Sequence, residues 1–64
     1  MSAHDQAAEL AAEFAALAGA VQHAGDQLAA ALVSRGLHPV GVRTTTREAV
    51  TRLDRLAGTA TRCL

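Results

Sequence analysis

Residues 3–34 read AHDQAAELAAEFAALAGAVQHAGDQLAAALVS. Within them Ala3, Ala7, Leu10, Phe14, Leu17, Val21, Ala24, Leu28 and Ala31 recur at alternating steps of four and three. That spacing is a heptad seam and predicts one long α-helix with an apolar ridge. Beside the ridge runs a second line, Ala11, Ala18, Gly25 and Leu32. Its mostly small side chains let a neighbouring helix approach closely. The outward positions hold Asp5, Gln6, Glu9, Gln22, His23 and Asp26, and alanine fills many of the rest, where it favours helix. Ser2 and Asp5 mark the start: a hydroxyl cap, then an acid at the positive end of the helix. Gly25 costs about 1 kcal/mol relative to alanine. Gly25 could end one segment and Asp26 cap the next, which would give three helices, but the ridge keeps its phase across them through Val21, Ala24 and Leu28, so one helix, bent at most, is the preferred expectation.

Gly36 suits the left-handed residue that ends a helix, with Leu37 after it and Leu32 as the partner in a Schellman ending. Pro39 is expected to stop the helix from resuming, with Val40-Gly41-Val42 as an extended strap. Thr45-Thr46-Arg47-Glu48 fits a capping box that opens the next helix. Ala49, Val50, Leu53, Leu56, Ala57, Ala60, Cys63 and Leu64 then form one apolar stripe. The opposite face shows Arg47, Thr51, Asp54, Arg55, Gly58 and Arg62.

The fold expected is therefore all-α. It is a helical hairpin with a long helix at about 3–34, a loop at 35–44 and a shorter helix at about 45–62. The whole is one small domain, 1–64. At 1.5 Å per residue these helices are roughly 48 Å and 25 Å long. The shorter one would leave almost half of the longer one uncovered, at the end that carries Leu10, Phe14 and Leu17.

Composition says the same. The chain has 64 residues, half of them apolar, but alanine supplies 16 of those 32. Eight Leu, five Val, one Phe and one Met are left to fill a core, with no Ile, Trp or Tyr. A chain this short buries only about 60% of its unfolded surface. A second copy or a helical partner is the expected source of the missing burial, most simply as a homodimeric four-helix bundle. The interface residues expected are Leu10, Phe14, Leu17, Val21, Leu28, Leu53 and Leu56. The first four form its energetic centre, and Leu28, Leu53 and Leu56 hold the hairpin.

Net charge is zero but divided. Residues 1–34 carry Asp5, Glu9, Glu13 and Asp26 with no base. Residues 35–64 carry six arginines against Glu48 and Asp54. Arg47, Arg55 and Arg62 are expected to set the choice or orientation of a partner by charge. Nucleic-acid binding through this face is the alternative, since arginine suits phosphate. Zero net charge, the interrupting acids and the absence of an aromatic for stacking on that helix weigh against it.

The chain is too short to enclose a substrate, and no enzyme activity, catalytic residue, cofactor or metal is expected. No His-x3-His, Cys-x2-Cys or Glu-x2-His spacing occurs, and Gly36 and Gly41 are isolated rather than part of a phosphate-cradling loop. Cys63 has no internal partner, which suits a reducing cytoplasm. Neither a secretory signal nor a membrane span is expected, because no stretch is strongly apolar for long enough. Thr59, Thr61 and Cys63 allow a lesser alternative, a ribosomal peptide precursor with a modified C-terminus; the apolar phase running through Cys63 opposes it. In general build an alanine-rich helical hairpin resembles the small partners of type VII secretion systems. Their Trp-x-Gly turn has no counterpart in a chain without Trp, so no residue or role is carried over.

Overall fold

In a computed structural model, described for residues 2–62, the chain is all-helical: α1 spans Ala3–Ser34 and α2 spans Val40–Arg62. The two pack side by side as an antiparallel hairpin. Thirteen of the 32 residues of α1 are alanine, the best helix former, and they offset Gly19 and Gly25. The helix runs through Gly25 unbroken. Ser2 caps it from an extended conformation (φ −83°, ψ 161°), its Oγ accepting from the Asp5 amide at 3.2 Å.

The end of α1 is a Schellman motif. Gly36 has φ +74°, its amide donates to Val33 O at 3.0 Å, and the Leu37 amide donates to Leu32 O at 2.9 Å. These are the positions the sequence assigns to it.

The start of α2 corrects the sequence reading. The expected loop at 35–44 shrinks to five residues, 35–39, and the helix resumes directly after Pro39. Pro39 O accepts the first helical bond, from the Arg43 amide at 2.9 Å. Proline is no obstacle there. Its missing N–H would have no partner in a first turn, and its fixed φ suits helix entry. Val40-Gly41-Val42 is therefore helical rather than an extended strap, and Thr45 and Thr46 lie inside the helix rather than at a capping box. The weak helix propensity of Val and Thr, a few tenths of a kcal/mol each, is overridden by packing: Val42 and Thr46 are both half-buried.

The early start makes α2 23 residues long, roughly 34 Å at 1.5 Å per residue. It begins beside the end of α1 and runs back along it. Gly25 faces Thr46, and a count in opposite directions from that crossing puts Arg62 level with Glu9, sixteen residues away on each helix. The expectation that half of α1 lies uncovered is thus overturned. What stays uncovered is a side of the helix, not an end.

The line of α1 that meets α2 is the small one. Ala18 (6% exposed) and Ala29 (1%) are the buried apolar residues of the described chain, and Ala11, Phe14, Val21, Gly25 and Leu32 are half-buried. From α2, Val42, Thr46, Ala49, Val50, Leu53, Ala57 and Ala60 are half-buried. No large side chain is fully buried among the described residues. The Cα trace measures 51 × 16 × 6 Å, a slab one helix thick.

Candidate interaction surface

The two broad faces of the slab differ. On one, Val21, Ala24 and Leu28 of α1 and Gly41, Val42 and Thr45 of α2 line an open groove of about 450 Å³ over the Gly25–Thr46 contact. On the other, Gln22 and Asp26 of α1 and Arg43 and Arg47 of α2 line a smaller polar depression over the same contact. Gln22 Nε2 donates to Asp26 Oδ1 there at 2.9 Å. Heptad steps extend the groove side along the molecule. From Ala24 and Leu28 they lead back through Val21 to Leu17, Phe14 and Leu10. From Val42 they lead through Ala49 to Leu56.

The ridge read from the sequence therefore lies on one face, and its leucines are open: Leu10 is 45% exposed, Leu17 52%, Leu28 52% and, from α2, Leu56 47%. Phe14, Val21 and Leu53 are half-buried. This places two residues differently from the sequence reading. Leu28 and Leu56 do not hold the hairpin together; they stand out of it, beside Leu10 and Leu17. The closest inner contact belongs to the neighbouring line of Ala18, Gly25 and Ala29, whose small side chains admit a second helix at close range, with Ala11, Phe14, Val21 and Leu32 half-buried beside it. Thr46, the residue that fills the gap left by Gly25, was missed; its place inside a helix depended on where α2 begins.

The arginines divide. Arg47 and Arg55 border one surface depression with Glu48, Thr51 and Arg52 on α2. Arg62 turns back on its own helix, Nε donating to Gly58 O at 3.2 Å beside the Thr61 Oγ1 bond to the same carbonyl at 2.9 Å. Both are local side-chain bonds within the end of α2. Cys63 lies outside the described residues. Among the described residues no three His, Cys, Asp or Glu side chains gather to hold a metal ion, and no helix is long and apolar enough to cross a membrane.

No family model, no curated protein and no solved structure matches this chain.

Proposed function

We propose that this chain is a non-enzymatic helical protein–protein interaction module. It self-associates through its apolar face, two hairpins stacking as a homodimeric four-helix bundle, and serves as an adaptor, assembly or regulatory subunit. One observation carries the reading: Leu10, Leu17, Leu28 and Leu56 stand exposed on one side of a slab whose buried apolar residues, among those described, are two alanines. An exposed apolar strip of this extent marks an interaction site. Size supports a second copy as the occupant. The broad face measures 51 × 16 Å between Cα extents, and a second slab of the same outline matches it in length and width. Stacking two slabs one helix thick also creates the interior that neither possesses. A reducing compartment such as the cytoplasm suits a chain with one thiol. Duplex DNA or RNA on the Arg47–Arg52–Arg55 side is the weaker alternative, because Glu48 sits among those arginines.

Sedimentation velocity at micromolar concentration tests the proposal. Twice the mass of the chain is expected; a well-folded monomer would overturn it.

A further inference from the structure

The self-association proposed above leaves open which way the second copy lies, and the charges at the edges of the apolar face decide it. At 3.6 residues per turn each residue advances about 100° around a helix. The line that meets α2 follows the ridge by one residue: Ala11 after Leu10, Ala18 after Leu17, Gly25 after Ala24, Ala29 after Leu28. The residues that precede the ridge therefore lie on its far edge, away from the chain's own α2. Those are Glu9, before Leu10, and Glu13, before Phe14. On α2, the groove-lining Gly41 repeats at heptad steps as Glu48 and Arg55 along the opposite edge of the same face, and Arg62, one step further, lies about 60° around the helix from Gly41, on the outer side of that edge. One long edge of the apolar face is acidic at the N-terminal end of α1. The other is basic at the C-terminal end of α2.

Those two charged stretches lie at the same height. Glu9 is sixteen residues before Gly25, and Arg62 is sixteen after Thr46. Glu13 is twelve before and Arg55 nine after, an offset of three residues or about 4.5 Å, within the reach of an arginine. Within one chain they cannot meet, because the width of the hairpin separates them. We propose that the second copy docks about a two-fold axis parallel to the helices. Each α1 then lies antiparallel against the partner's α2, with Glu9 facing the partner's Arg62 and Glu13 the partner's Arg55.

Two-fold stacking of the apolar faces has one other orientation, about an axis across the helices. It lays α1 on the partner's α1 and α2 on the partner's α2. Arg52, six residues after Thr46 and level with Gly19, is close to the middle of the slab and would there meet the partner's Arg52. Like charges brought together select against that stacking, and opposite charges at a rim select for the first; rim charges govern orientation more than affinity.

Cysteine cross-linking of the full chain, with Cys63→Ser to remove the native thiol, tests this. Ala20 is five residues before Gly25 and on the same edge as Glu13, one heptad on. In the proposed dimer it lies beside the partner's Arg52, within one residue of the same height. Ala20→Cys and Arg52→Cys chains should each stay unlinked alone under oxidation and form a covalent dimer when mixed, since a disulfide needs Cα atoms within about 7 Å. Either variant linking to itself, or no link in the mixture from chains that sediment as dimers, overturns the orientation. Monomeric sedimentation would instead refute self-association itself, so the two failures are separable. As a second readout, Glu9→Arg with Glu13→Arg should raise the dimer Kd about tenfold at low ionic strength, from several weak rim pairs combined, and less at high salt. An unchanged Kd would overturn the assignment of these pairs.

Discussion

Gly19 and Gly25 sit six residues apart on α1 in opposite surroundings. A Cβ added at Gly19 meets nothing within 4 Å; one added at Gly25 would fall 2.5 Å from Thr46 Cγ2 and 2.9 Å from Thr46 Cβ, and against Thr46 Oγ1. The same substitution should therefore have opposite signs at the two sites. Gly19→Ala is expected to stabilise by about 1 kcal/mol, the helix propensity gained. Gly25→Ala is expected to destabilise by about 1–3 kcal/mol, since overpacking outweighs that gain, and Thr46→Ala should recover part of the loss. Denaturation followed by helical signal measures both; a stabilising Gly25→Ala would contradict the close crossing. The purpose of a small residue at position 25 was legible in the line it shares with Ala11 and Ala18. Its partner was not, because Thr46 looked like the opening of a helix.

At the scale of the elements, the five-residue connection is a left-handed glycine followed by a proline that permits the next helix. Gly36→Ala should cost about 1 kcal/mol, because a side chain at φ +74° is strained even where space is open. Thermal unfolding of that variant checks it, and an unchanged melting temperature would mean the Schellman ending tolerates a Cβ. The stop of α1 could be read from Gly36 and Leu37 because left-handed backbone and its residue preference are local properties. The start of α2 could not. Pro39 breaks a helix from within and admits one from behind, and the sequence Val40-Gly41-Val42 has the composition of extended chain. Contact of Val42 and Thr46 with α1 decides between those outcomes, and that contact is tertiary. The surface was misread at Leu28 and Leu56 for a related reason. Heptad spacing identifies two adjacent lines on one helix but not which of them turns inward; side-chain size at the contact settles it, in favour of alanine and glycine.

For the whole molecule, a slab 6 Å thick in its Cα trace has a contact line but no enclosed interior. If two such slabs associate as proposed, folding and association are one process, and the melting temperature should rise by about a few degrees per tenfold increase in chain concentration, as mass action requires of a dimer. A melting temperature independent of concentration would show that one hairpin suffices. Division of charge between the helices, visible in the sequence, acquires a direction once the slab is known, because the acids and bases border the same face on opposite sides. The Gly25–Thr46 crossing adds something to this. It acts as a notch and peg: Val21 and Ala29, one turn either way along α1, both carry the Cβ that Gly25 lacks, and Thr46 sits at the gap between them. By indexing one rod against the other, that single missing methyl also sets which residue of α1 stands level with Arg62. In the proposed dimer it would thereby set, sixteen residues away, where a neighbouring molecule finds its opposite charge.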